Sequence, residues 1–187
     1  KVISAYGDKL VFLLMGGFLL AKTIEKVNLH KRFAFNTLKI VGTKPKNIIL
    51  GFIIVTGCMS AWITNTATTL LILPIAIAVI SQVDVAQKKR FATCLILSVA
   101  YAASLGGMAT IIGTAPNALF ASLSDSIGGV EIIFFDWMLV GVPISGVSLL
   151  VLWIYMTTSA RLDNRKPILK DKNIITEELR NLGNWSR

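Results

Sequence analysis

From Asn47 to Val83 the chain runs for 37 residues without a charged side chain. That run constrains the fold more than any other feature. A helix crossing the roughly 30 Å of membrane hydrocarbon needs about 20 apolar residues. The run is too long for one crossing, and its ends carry the same sign: Lys44 and Lys46 before it, Lys88, Lys89 and Arg90 after it. Clusters of Lys and Arg stay on the cytoplasmic side. The segment therefore starts and ends on one side and turns back near its middle, within Thr64-Asn65-Thr66. The arms, about 47–63 and 67–82, are short for full crossings. Short arms with a polar tip predict a re-entrant helical hairpin whose tip stops inside the membrane.

The next uncharged run, Phe91–Ser124, has 34 residues. As one helix it would be about 51 Å long, well beyond the hydrocarbon core. Its centre reads SLGGMATIIGTAPNAL, with Gly106, Gly107, Gly113 and Pro116 inside 11 positions. That cluster predicts a broken helix with unwound backbone between two halves. The flanks change from basic to Asp125, so this element crosses from inside to outside. Trp137–Ala160 is a third uncharged stretch of 24 residues and predicts a plain span. Trp137, Trp153 and Tyr155 are placed as interfacial anchors and Pro143 as a kink. A shorter span is expected from about Asp8 to Glu25, with Gly16-Gly17 as a close helix contact. The interval 26–46 reads as an amphipathic helix on the cytoplasmic surface. The tail from Arg161 reads as cytoplasmic, with a short amphipathic helix at Ile174–Leu182. This topology puts 17 of the 19 Lys and Arg residues inside.

The expected organisation is 1–46 as a scaffold-type span plus surface helix, 47–130 as a transport part, 131–160 as a span and 161–187 as a tail. The transport part holds the hairpin 47–83 and the broken helix 91–124. The fold class is all-α and polytopic, and the partner of the chain is the lipid bilayer of the cell membrane. Only 16% of residues are charged against 54% hydrophobic, which disfavours a soluble domain, for which a quarter charged is usual. Nucleic-acid binding would need the +9 charge on a soluble fold, whereas here the bases punctuate apolar runs. Cys58 and Cys94 lie in apolar stretches and read as buried free thiols. His30 sits beside Lys31 and Arg32 and reads as solvated. The chain starts at Lys1 without a signal-peptide pattern and reads as an internal piece of a longer protein. No HExxH, GxSxG or P-loop is present in the sequence, so an enzyme is not expected.

Two stretches could carry chemistry. In Ser60–Thr69, hydroxyls and an amide lie deep in an apolar run, which is costly unless they serve each other, water or a ligand. One reading makes them helix caps at the hairpin tip. The other uses the helix after the tip, whose positive end suits an anion, and the carbonyls ending the helix before it, which suit a cation. In Gly106–Asn117 a structural kink competes with a cation site, for which Thr110, Gly113, Thr114 and Asn117 offer oxygens. No acid lies in either stretch, so a cation such as Na⁺ held by neutral oxygens fits better than a proton relay.

Taken in order, GGFLLAKTIEKVNLHKR, MSAWITNTATTLLILPIAIAV, YAASLGGMATIIGTAPNAL and the closing EELRNLGNWSR resemble the divalent anion:sodium symporter family, carriers of dicarboxylates, citrate or sulfate. The resemblance covers nearly the whole chain. The family's Ser-Asn-Thr tip is here Thr64-Asn65-Thr66, and its Gly-Thr-Pro-Pro-Asn break is Gly113-Thr114-Ala115-Pro116-Asn117, with one proline lost. The resemblance implies Na⁺ between tip and break, held by Ser60, Thr64, Asn65 and Gly113, with Thr110 and Asn117 as further candidates. It implies that Asn65 and Thr66 meet a carboxylate of a small anionic substrate, with Thr114 and Pro116 beside them. It implies one inverted repeat of an elevator-type carrier, with a second repeat completing the site and a scaffold that forms a homodimer. The alternatives are an exchanger or proton-coupled anion carrier, and a truncated membrane protein inactive by itself.

Overall fold

The computed structural model describes residues 9–27, 32–33, 36–37, 42–83 and 85–160. Their regular structure is helical, with no β-strand among them. Six helices follow in order: α1 (Lys9–Lys26), α2 (Pro45–Ser60), α3 (Asn65–Ser81), α4 (Val85–Gly107), α5 (Ala115–Gly128) and α6 (Phe134–Ser159). Residues 28–31, 34–35 and 38–41 of the surface-helix interval 26–46, and the whole tail from Arg161, lie outside the described residues.

Local chemistry sets several of the ends. Pro45 opens α2 after an extended Lys44, and Pro116 lies in the first turn of α5. Proline suits these positions because its fixed φ is helical and its missing N–H has no partner there anyway. α5 stops at Gly129, whose φ of 63° turns the chain left-handed and lets its N–H reach Asp125 O. α3 and α6 each keep a proline inside, Pro74 and Pro143.

The hairpin turn comes earlier than the charge pattern predicts. α2 ends at Ser60, Ala61–Ile63 form the turn, and Asn65 is already the first residue of α3. Hydropathy could not show this, because Ala61, Trp62 and Ile63 are as apolar as the arms. The second long run breaks over 108–114 between α4 and α5, and α4 begins at Val85, so Lys88, Lys89 and Arg90 lie in its first two turns.

α4 is the centre of the bundle and packs against α2, α3 and α6. Phe52, Ile72, Phe91, Leu95 and Val99 are fully buried there. α2 and α4 run the same way, α3 and α6 the other. α6 is read against α4 by three contacts. Cys94 Sγ lies 3.4 Å from Met156 O, Ser145 Oγ donates to Leu105 O at 2.8 Å, and Gly141 abuts the carbonyls of Met108 and Ala109. The hairpin tip and the break therefore sit level with Gly141.

α6 has 26 residues and meets the span criterion of length and apolarity, as does Lys88–Gly107 within α4. Leu139, Val140, Val147, Leu150 and Val151 are exposed along α6, and Val11, Phe12, Met15 and Leu19 along α1. Exposed apolar faces of this size mark contact with lipid or protein. Trp137 and Trp153 donate their indole N–H groups to Met108 O and Lys46 O, both at 3.0 Å. Two expectations change here. Cys58 is exposed, while Cys94 is buried. Of the Gly16-Gly17 pair only Gly17 is in contact, against Ile112.

The tightest approach is between α2 and α4. A Cβ placed on Gly106 would overlap the backbone of Gly57. Small residues that let helix backbones touch are the main device of membrane helix packing. Gly106→Ala should therefore cost about 1–3 kcal/mol or prevent folding, as overpacking does. Gly16→Ala, with nothing within 4 Å among the described residues, should leave the melting temperature in detergent unchanged. Equal melting of the two variants would refute the contact.

Candidate functional site

The hairpin tip and the helix break interlock. Ser60, the last residue of α2, is fully buried. Its hydroxyl oxygen lies 2.8 Å from Asn65 Oδ1 and 2.7 Å from Ala103 O. One hydroxyl hydrogen cannot serve two acceptors at once. Either Ser60 alternates between them, or the Asn65 amide is turned so that its NH₂ donates to Ser60, an assignment that rests on the hydrogen-bond network.

From the other side, Thr110 in the break donates its hydroxyl to Ala61 O and accepts from Gly113 N at 3.1 Å. Asn117 Nδ2 donates to Gly107 O at 3.0 Å and Thr110 O at 2.8 Å. These bonds tie α5 back across the break to the end of α4. Gly107 and Gly113 allow the closeness. A Cβ on Gly107 would strike Asn65 Oδ1, and one on Gly113 would strike Gly107 O and approach Ser60 O at 2.9 Å.

The result is a close convergence of neutral oxygens: Ser60 Oγ and O, Asn65 Oδ1, Gly107 O and Gly113 O. Among the described residues no group of His, Cys, Asp or Glu could hold a metal. Neutral carbonyl, hydroxyl and amide oxygens are hard ligands suited to a hard cation rather than a thiophilic or imidazole-loving metal.

The site also has an anion-facing side. α3 begins at Asn65 and α5 at Ala115, so both point their positive ends at this region. Their N-cap residues, Thr64 and Thr114, make no side-chain cap hydrogen bond. The capping reading of the tip is thus not what the structure shows for the Thr64 hydroxyl. Helix N-termini leave their first N–H groups without intrahelical partners.

The candidate residues fall into two sets. Ser60, Thr110, Gly113 and Asn117 are buried, whereas Thr64, Thr66 and Pro116 are exposed, with Asn65 and Thr114 between. The Thr110 hydroxyl already serves Ala61 O and Gly113 N, and the Asn117 Nδ2 group serves two backbone carbonyls. They act in this structure as struts of the break.

Two buried hydroxyls escape the sequence reading. Thr56 and Ser98 are fully buried; among the described residues Thr56 Oγ1 has no hydrogen-bond partner, and Ser98 has only the Cys94 thiol beside it. Thr56 lies one helical turn before Ser60, so the polar track of α2 continues below the tip. The only signal in the sequence is a hydroxyl four residues before Ser60.

Comparison with known proteins decides the family. Residues 1–184 match the family model described as citrate transporter. The chain belongs to the citrate transporter family. Among curated relatives, the "Sodium-dependent dicarboxylate transporter SdcS" of Staphylococcus saprophyticus is 35% identical over 98% of this chain and 37% of its own length. The protein of the same name from Staphylococcus aureus strain USA300 is 34% identical over the same shares. The chain thus spans little more than a third of these relatives. The resemblance read from the tip and break motifs leads to the same group of carriers.

The hydrogen bonds separate two hydroxyls of the same residue type. Thr110→Val removes a donor to Ala61 O and an acceptor for Gly113 N, and should cost about 1–2 kcal/mol. Thr56→Val removes an unpartnered buried hydroxyl and should be neutral or stabilising. Thermal unfolding of both variants of the full-length protein checks this; a larger loss for Thr56→Val would contradict the assignment.

Proposed function

We propose that this chain forms part of a secondary active carrier that couples inward Na⁺ movement to a small dicarboxylate-type anion. The observation that carries the reading is the meeting of two helix interruptions at one oxygen-walled point. One face of that point offers neutral oxygens for Na⁺, and the other offers two helix N-termini for carboxylate. Ser60, Asn65 and Gly113 serve as the cation ligands, with Thr64 at the rim. Asn65 and Thr66 hold a carboxylate, with Thr114 and Pro116 beside it. Na⁺ binding orders Asn65, and Asn65 in turn faces the anion, so each ligand strengthens the other. Carboxylate binding on an otherwise neutral site is also helped directly by the charge of the ion.

The hairpin reads as re-entrant. α2 has 16 residues and is about 24 Å long, short of a full crossing. α6 continues from Gly141 to Phe134, about 10 Å past the level of the tip. Positive residues at the base of α2 and α4 support a cytoplasmic position for that end in a multi-pass cell-membrane protein. The exposed flank at Thr64, Thr66 and Pro116 is where a second, inverted repeat in the longer protein completes the anion site. α1 belongs to the scaffold of a homodimer, against which the α2–α5 unit moves as an elevator.

The names of the relatives support sodium and dicarboxylate as the pair. In proteoliposomes of the full-length protein, an inward Na⁺ gradient should drive succinate uptake, and replacing Na⁺ by choline should abolish it. Uptake driven by a pH gradient without Na⁺ would overturn the coupling. Asn65→Ala should abolish uptake with insertion intact, whereas Ser60→Ala should raise the Na⁺ concentration for half-maximal uptake about tenfold, equivalent to the loss of about 1.4 kcal/mol. Normal uptake by Asn65→Ala would sink the site assignment.

A further inference from the structure

At the opposite end of the bundle from the tip, a second cavity of about 590 Å³ opens between the start of α4 and the end of α6. Lys89 and Arg90 stand at its mouth with the hydroxyls of Thr93 and Ser159, and Leu97 and Met156 line it further in. Both cations are exposed, and among the described residues neither has a carboxylate partner. They add to the positive end of α4, which has no acid in its first turn. Two exposed cations beside a positive helix end favour an anion. The oxygen-walled site at the tip does not use this cavity.

We propose that this cavity binds the phosphate of an anionic membrane phospholipid, whose acyl chain runs down the α4–α6 groove over Leu97 and Met156. Charge selects the headgroup: Lys89 and Arg90 pair with the phosphate, and Thr93 and Ser159 donate to its oxygens. Position selects a lipid over a soluble phosphate. The cations stand where two apolar helices end, and the wall below them is apolar and open, with Leu97 partly exposed. Basic pockets between spanning helices on the cytoplasmic side are the general form of such sites. The bound lipid clamps the start of α4 to the end of α6, next to the contact of Cys94 with Met156 O. The proposal needs only that α4 and α6 sit in a bilayer; it stands apart from the ion-coupling reading.

The test is lipid titration of the detergent-purified full-length protein by native mass spectrometry. Phosphatidylglycerol should bind at least tenfold more tightly than phosphatidylcholine. The Lys89→Ala, Arg90→Ala double variant should lose that preference about tenfold. Lys88→Ala removes a neighbouring charge that does not line the cavity and should stay within twofold of the unaltered protein. Should the double variant fail to fold, the Thr93→Val, Ser159→Ala pair keeps both cations and should weaken phosphatidylglycerol about threefold. Equal binding of the two lipids, an equal loss in Lys88→Ala, unchanged binding in both double variants, or full displacement by inorganic phosphate at matched concentration would each overturn the proposal.

Discussion

The upper half of this bundle depends on the backbone contact between Gly57 of α2 and Gly106 of α4. Helices bearing ordinary side chains pack 8–10 Å apart. Without a Cβ at the crossing, the two backbones close in. Only then does Ser60 come within reach of Ala103 O, and only then can the break carry Gly113 to Ser60 O. The hairpin turn and the helix break are each poorly satisfied alone. Brought together, each supplies the other's missing hydrogen-bond partners, as Thr110 does for Ala61 O.

This mutual satisfaction explains how irregular backbone can exist deep in an apolar bundle. Unpaired carbonyls there cost several kcal/mol each, so breaks persist only where protein or a cavity receives them. The oxygens that converge between tip and break belong to no carboxylate.

Much of the architecture was legible in the charge pattern. The cations beside Lys46 and at Lys88–Arg90 bracket α2 and α3, and Asp125 lies near the end of α5. The glycines around Gly106 marked the break because glycine and proline act locally. The position of the hairpin turn was not legible, since Ala61, Trp62 and Ile63 are apolar whether helical or not. Nor were the partners of Trp137 and Trp153. A tryptophan near a helix end has the same sequence context whether its N–H faces water or a carbonyl 29 or 107 residues away. The same limit applies to Cys58, which faces outward although its neighbours are as apolar as those of buried Cys94.

The division is sharpest at the candidate site. Sequence alone determined which residue types gather at the tip and the break, and that no acid is among them, because composition and spacing are one-dimensional facts. It also determined which ends share a side, because the signs of the flanking charges say so directly. Only the tertiary structure decided which of those polar groups remain available. The Thr110 hydroxyl and the Asn117 NH₂ group serve as struts, Thr64 and Thr114 stand at N-caps without capping, and Thr56 is left unpartnered among the described residues. Hydrogen bonds between residues 43 or 49 positions apart are set by how closely two helices can approach, and no local pattern encodes that distance.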